Sequence, residues 1–460
     1  MWGHVSLPRR KERSRMKQSG KPDYSWLGRD VLRWVIAAAV SVAMIFGVNA
    51  LRDSAGQATF TGTVKGESAD GDTTGAAQIS YRQVEAPAPE GANDVVTSAQ
   101  WAELFPEIAE SYNMTSENEY SVDYLEQDSY LVNLYEGYGF AKEYNAARGH
   151  AYCLEDVNAI ARPHPLANCL TCKTADFTAM VNKLGAETAY ALDFEEVFPQ
   201  MTENVGCYTC HENQVGDNGK LVVTHDYIIN QLGSNMDSMD PVVLSCGQCH
   251  IEYYFKPDDS HATTVPYHAV EEMSPDAILE YYDAMDFADW TQESTGARLL
   301  KAQHPEMETF LGEGSVHAGM GLNCADCHME VVTNDEGYTY TNHAFVSPIE
   351  SENIMSNVCA ACHKDTDLVA KVHDLQAEIT ARETEVGSKL SELNDRLTEA
   401  VASGSYSEGQ LDELRRLYRS AQWYFDFDYV ENSEGAHNSK LANYCLDTSE
   451  QYIQQANDLF

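Results

Sequence analysis

Ten of the twelve cysteines fall into five Cys-x-x-Cys units: Cys169/Cys172, Cys207/Cys210, Cys246/Cys249, Cys324/Cys327 and Cys359/Cys362. Four are followed at once by a histidine (His211, His250, His328, His363) and the fifth by Lys173. Two thiols three residues apart with an imidazole behind them form the attachment signature of haem c. The thiols add to the two vinyl groups of one porphyrin, and the adjacent imidazole reaches the iron. With 12 Cys and 15 His in 460 residues, composition alone does not produce four such pentads. Zinc also uses cysteine pairs, but five close pairs each trailed by His or Lys match no zinc-ligand spacing. A disulfide framework is refuted by the same spacing.

Five covalent haems dictate the fold class. Residues 96–370 give 275 residues to five porphyrins, so the porphyrins make up much of the apolar interior. The chain around them is expected to be mainly α, a multihaem cytochrome c of short helices and loops with little β. Motif starts 38, 39, 78 and 35 residues apart place sequence neighbours close together. Beyond residue 370, Leu368, Val372, Leu375, Ile379, Val386, Leu390, Leu393 and Leu397 keep a 3–4 spacing that predicts a long helix. Ser403-Gly404-Ser405 breaks it, and Ser407 with Gln410 reads as the capping box of a second helix carrying Leu411, Leu414, Leu417 and Tyr418.

Charge removes one function class. The chain carries 30 Lys+Arg against 72 Asp+Glu, a net of −42, which repels phosphate backbones and excludes nucleic acid as a partner. The basic residues gather at the start: residues 1–33 hold nine Lys/Arg against three Asp/Glu. The uncharged stretch 34–51 that follows is expected to be a signal peptide or a membrane anchor, with the basic flank in the cytoplasm and the rest outside. Residues 52–95, rich in Gly, Ala, Ser, Thr, Asp and Pro, read as a flexible linker. The expected organisation is thus 1–33 basic segment, 34–51 targeting segment, 52–95 linker, 96–370 pentahaem catalytic domain and 371–460 long-helix region. Haem c assembly outside the cytoplasm agrees with an extracytoplasmic location.

Lys173 is the functional clue. A haem closed on both faces moves electrons only, whereas one with an open face binds substrate. As a ligand, Lys173 would have to bind as the neutral amine; otherwise it is a surface residue and that haem takes its ligand elsewhere. Four Cys-x-x-Cys-His haems need four distal ligands. Eleven histidines lie outside the motifs, and spacing alone does not select among them.

Further motifs carry a resemblance. Arg148-Gly149-His150 is followed twelve residues later by Arg162; then come Cys-x-x-Cys-Lys, Cys246-Gly-Gln-Cys-His250 running into Ile251-Glu252-Tyr253-Tyr254-Phe255, Lys301-Ala302-Gln303-His304-Pro305-Glu306, and Ala421-Gln422-Trp423. In this order they resemble the pentahaem, ammonia-forming cytochrome c nitrite reductases of the calcium-dependent type, over roughly residues 100–440. The resemblance implies that Lys173 is the proximal ligand of the catalytic haem and that Arg162, Tyr253 and His304 line its open face. It implies distal ligands His343 for the haem at Cys207/Cys210, His150 for Cys246/Cys249, His437 for Cys324/Cys327 and His317 for Cys359/Cys362. It assigns calcium to the Glu252 carboxylate, the Tyr253 and Lys301 carbonyls and the Gln303 side chain. A homodimer built on the C-terminal helices and a membrane quinol dehydrogenase of multihaem type as electron donor are implied too. Leu170 stands where the family often has Trp, and the segment from Arg162 to Cys169 is shorter than in many members. Cys153 and Cys445 match no family role; they are free thiols or one disulfide.

The chemistry suits these roles. Nitrite is a small anion, and an Arg beside an open iron supplies fixed charge and directed donors. His304 is expected to donate a hydrogen bond and to pass protons near neutral pH, and the Tyr253 phenol is a further donor. Two other readings are a non-catalytic multihaem electron conduit and a related reductase acting on hydroxylamine or tetrathionate.

Overall fold

In the computed structural model of the protein, residues 79–364 and 366–460 are described. The basic segment, the apolar stretch 34–51 and the linker up to residue 78 lie outside them. The described residues belong to one compact unit. They are mostly helical, with a multihaem cytochrome fold.

Each cysteine pair occupies a single helical turn, because residues i and i+3 of a turn face the same side. Cys169 sits on the 3₁₀ turn Ala167–Leu170, and Lys173 follows just before α1 (Ala175–Leu184), which Thr174 caps by accepting from the Asp176 N–H. α2 (Cys207–His211) is the second motif itself. α3 (Pro241–Gly247) starts on a proline, with the Asp240 carboxylate accepting from the Val242 N–H at 2.7 Å, and delivers Cys246 at its end.

Two hairpins follow: β1 (Tyr254–Phe255) with β2 (Thr263–Thr264), and β3 (Trp290–Thr291) with β4 (Arg298–Leu299). α4 (Glu306–Leu311) and α5 (Cys324–His328, the fourth motif) come next; α5 opens on a reciprocal Asn323/Asp326 capping box. A third hairpin, β5 (Val331–Thr333) with β6 (Thr339–Thr341), completes the strands among the described residues. All three hairpins are antiparallel and two-stranded, so little β forms, as expected.

Cys362 is exposed, whereas the other nine motif cysteines are half-buried. The cause is its place in the fold. The fifth motif is the 3₁₀ turn Cys359–Ala361, which packs on the short helix Glu352–Asn357, and Cys362 follows that turn on its uncovered side with His363 and Lys364 also exposed.

The C-terminal region is α6 (Leu368–Ser403), α7 (Glu408–Tyr429) and α8 (Ser439–Asn457). α6 ends where Gly404 adopts φ 61°, a conformation that favours glycine. Ser407 and Gln410 form the expected box at the start of α7. The heptad-like stripe is buried from Ile379 to Leu397, while Leu368, Val372 and Leu375 are half-buried. Its cover is α7, α8 and the segment around Leu131–Tyr135 of the same chain. A partner chain would therefore use other faces of these helices. Gly387 lies under Tyr130 so closely that a Cβ would fall 2.4 Å from a ring carbon. α7 serves two cores: Leu414 and Phe425 join the bundle, and Trp423 and Phe427 pack with Tyr254, Tyr282, Leu300 and Met307 of the motif region. Among the described residues no helix is long and apolar enough to cross a membrane.

Candidate active site

Among the described residues four pairs of imidazoles face each other: His211 with His343 at 6.4 Å between ring centroids, His250 with His150 at 6.4 Å, His328 with His437 at 6.0 Å, and His363 with His317 at 6.5 Å. Each pair joins one motif histidine to one of the four distal candidates. A metal–imidazole bond of about 2 Å, with the nitrogen about 1.1 Å from its ring centre, puts two trans imidazole centroids about 6.2 Å apart. The spacing therefore fits an iron between each pair. Ring orientation fits as well. Nδ1 lies against the Lys220 carbonyl in His211 (2.8 Å), Thr341 in His343 (2.9 Å) and Val346 in His328 (3.0 Å), and against the Glu431 carboxylate in His437 (2.6 Å). An Nδ1–H used in this way leaves Nε2 as the ligating atom. Burial pushes His150 and His343 down to about 4, the neutral form a ligand needs. At His250 and His437 burial is outweighed by Glu306 and Glu431, and both pKa values are raised.

At the fifth motif, exposed Cys362 and half-buried Cys359 flank the turn that presents His363 to His317. A thioether needs reach to a porphyrin edge rather than a buried sulfur, so the exposure of Cys362 is compatible with a haem at the rim of the motif region.

The motif at Lys173 has no imidazole pair. Lys173 is half-buried, and among the described residues its ammonium has no ion pair or hydrogen bond. Around it stand the three expected side chains. Tyr253 lies near Cys172 and Cys169, and burial drives its pKa well up. Arg162 lies within electrostatic range of Tyr253, with its guanidinium 3.9 Å from the Phe140 ring centre and a buried Nη1 that has no partner. His304 is pushed down to about 4 by burial, with Lys173 and His250 adding repulsion against the pull of Glu306. Burial and the neighbouring cations thus favour the neutral imidazole over the imidazolium. It can donate through one ring nitrogen.

The calcium candidates also meet. Glu252 is fully buried; it accepts from the Tyr282 hydroxyl at 2.9 Å and the Gln303 N–H at 2.6 Å, while the Gln303 amide donates to the Lys301 carbonyl at 3.0 Å. Glu308 and Asp426 are buried nearby and Asp289 is half-buried: Glu308 accepts from the Glu252 N–H, and Asp289 and Asp426 bond the Lys301 segment. The Lys301 ammonium compensates only part of this charge. Burial raises Glu252 well above the usual range, Asp289 to about 7 and Glu308 to about 8, and Glu308 keeps one oxygen without a partner. A hard divalent cation suits such an excess of oxygen ligands.

Cys172, His225 and Cys249 form a group within 4.8 Å. Both cysteines belong to Cys-x-x-Cys motifs; as haem thioethers their sulfurs would not serve as thiolate ligands. Cys153 is half-buried with its thiol 3.8 Å from the Gly149 carbonyl, whereas Cys445 is buried on α8; both are free, not one disulfide.

Residues 97–459 match the family model of cytochrome c552. The chain belongs to the cytochrome c552 family. A cytochrome c-552 of Desulfotalea psychrophila is 28% identical over 363 residues, 74% of this chain and 70% of that one. The solved catalytic subunit of cytochrome c nitrite reductase from Desulfovibrio desulfuricans, described with two calcium sites, superposes with a TM-score of 0.71 at 26% identity, covering 81% of this chain and 87% of that one.

In this cytochrome c552 several site residues were given no role by the sequence, although Glu306 and Gly247 lie within its motifs. Phe140 lies in an ordinary aromatic run, yet it forms the shelf under Arg162. Glu306 sits between two rings, 3.9 Å from the His250 Nδ1 and 4.0 Å from the His304 Nδ1. Gly247 lets α4 approach, since a Cβ there would fall 2.2 Å from the Met307 sulfur.

Proposed function

We propose that this cytochrome c552 is an ammonia-forming nitrite reductase acting outside the cytoplasm, with five covalent haems held by the five cysteine pairs, the exposed Cys362 included. The observation that carries the reading is the asymmetry of the motifs: four have facing imidazoles, and the one at Lys173 has Arg162, Tyr253 and His304 instead. Family membership and the likeness to a nitrite reductase support the same reaction.

The overall change is nitrite plus six electrons and eight protons to ammonium and two waters. When bound, haem would supply an iron for the substrate nitrogen and a route for electrons to it. The chain supplies the remainder. Arg162 offers an unpartnered guanidinium N–H to the anion. Tyr253 and neutral His304 donate to substrate oxygen and, as N–O bonds break, protons are replaced from solvent through such donors. Lys173 would hold the haem iron as a neutral amine. Glu252, Gln303 and the Lys301 and Tyr253 carbonyls would hold calcium, tying the segment carrying Tyr253 to the one carrying His304.

Cys172 neighbours Cys249, Cys246 neighbours Cys324, and Cys327 lies near Cys359. That order runs from the Lys173 motif through the third and fourth motifs to the fifth, where Cys362 meets the surface. The second motif joins as a branch, with Cys210 near Cys246 and Cys249. Such a chain suits delivery of six electrons from a membrane quinol dehydrogenase of multihaem type to each subunit of a homodimer. The deciding assay supplies nitrite and a reduced dye to the purified holoprotein. Ammonium equal to the nitrite consumed is expected; oxidation of the dye without ammonium sinks the reading.

A further inference from the structure

Gln248, between the two cysteines of the third motif, is fully buried and its amide can point only one way. Its NH₂ donates to the carbonyls of Thr209 (3.0 Å) and Ser245 (3.1 Å). Its oxygen accepts from the backbone N–H groups of Thr224 (2.9 Å) and His225 (3.2 Å). That oxygen also lies 3.0 Å from the His225 Nδ1. The second neighbour of this nitrogen is the Thr224 hydroxyl at 3.2 Å, whose nearest acceptor is the Thr209 carbonyl at 2.6 Å, with the Gln248 oxygen a second at 3.2 Å. Nδ1 thus faces two acceptors. On the other side of the ring, Nε2 lies 3.0 Å from the Thr171 carbonyl, inside the Cys-x-x-Cys-Lys motif. A neutral imidazole has only one N–H, and here it would leave a ring lone pair against an oxygen lone pair in a buried site.

We propose that His225 is a permanently charged imidazolium, 3% exposed, wedged between Cys172 and Cys249, and that it raises the reduction potential of the Lys173-bound haem. A fixed positive charge favours the added electron, and in a site of low dielectric it is weakly screened. The void beside the ring, lined by Phe177, Val181 and Tyr190, is too small for a water molecule. The ionisable groups facing it are Asp226, the Tyr227 phenol and, across Cys172, Lys173. Asp226 is already engaged by the Tyr190 hydroxyl at 3.1 Å. His225 also joins the loop of the Lys173 motif to the third motif, the next station for electrons. The inference rests on haem attachment at Cys172 and Cys249 but not on the identity of the substrate.

Redox titration of the holoprotein tests it, following the high-spin haem signal from pH 6 to 8. His225→Gln is expected to shift that midpoint to more negative potential by the same amount throughout this range, with five haems retained, and His225→Lys to keep it near the wild-type value. An unchanged midpoint in His225→Gln, or a shift that disappears above pH 7, overturns the proposal. Should either variant fail to mature, a neutron structure of the wild type at pH 8 decides: deuterium on both ring nitrogens is expected, and deuterium on one alone overturns it. Absence of nitrite turnover would leave this measurement unaffected, so the two readings fail separately.

Discussion

Arg162 illustrates how a single side chain acquires a role. Its guanidinium rests on Phe140 and keeps one buried N–H without a partner, so an incoming anion gains a charge-assisted hydrogen bond that the folded protein has left unmade. Such a bond is worth about 1.5–3 kcal/mol, so Arg162→Ala should weaken nitrite binding about tenfold to a hundredfold. Uncharged hydroxylamine should lose less; equal losses in steady-state kinetics for both substrates would assign Arg162 to structure. Lys173 poses the complementary question. An amine lacks the π system and the second N–H of imidazole. Lys173→His should keep its haem and leave the other four spectra unchanged, but move the potential of the fifth and cut nitrite turnover strongly. Wild-type turnover in that variant would make the lysine incidental.

At the scale of elements, the loop after α3 and the strand-to-helix link between β4 and α4 are separated by more than forty residues, yet Glu252 and Gln303 hydrogen-bond directly. Calcium would lock that junction. Glu252→Ala, or a chelator, should reduce nitrite turnover while mass spectrometry still finds every haem attached. Full turnover under both treatments would remove the calcium assignment. The α6–α7 contact carries a different electrostatic load. Glu383 and Asp428 are buried, and burial, followed by repulsion from Asp428 at Glu383 and from Glu431 at Asp428, holds both pKa values well above normal. A carboxyl with a raised folded pKa binds its proton more tightly in the native state. Its contribution to stability is therefore complete below the unfolded value, 4.5 for Glu383, and is lost as pH rises through the folded one. The melting temperature should accordingly fall between pH 5 and pH 8. Glu383→Gln should raise it at pH 8 and flatten the slope, and thermal melts of both proteins at the two pH values check this.

At the scale of the molecule, porphyrins would make up interior that this chain does not fill with its own side chains. The motif region has modest apolar clusters, and its larger core is shared with α7. Intact mass should therefore show five haems, and a count of four would leave the Lys173 motif bare and end the enzyme reading. The spatial order of the motifs is not their chain order. Cys172 meets Cys249 and skips the intervening pair at Cys207/Cys210, although sequence neighbours were expected to lie together.

Much of this protein was legible as a string because its chemistry is local. A cysteine pair with a trailing imidazole or amine completes its signature within five residues, and helical periodicity placed the end of α6 and the start of α7 where Gly404 and Ser407 stand. The distal histidines were reached through the resemblance alone, since nothing in the spacing of His150, His317, His343 and His437 selects them from eleven candidates. Only the tertiary structure brought each within 6.0–6.5 Å of its partner ring. It alone decided that the surroundings of His304 favour its neutral form, that Phe140 underlies Arg162, that Cys362 stands at the surface and that both nitrogens of His225 face acceptors. A proton's affinity and a sulfur's exposure depend on what surrounds the group in three dimensions, and those surroundings come from segments tens to hundreds of residues away.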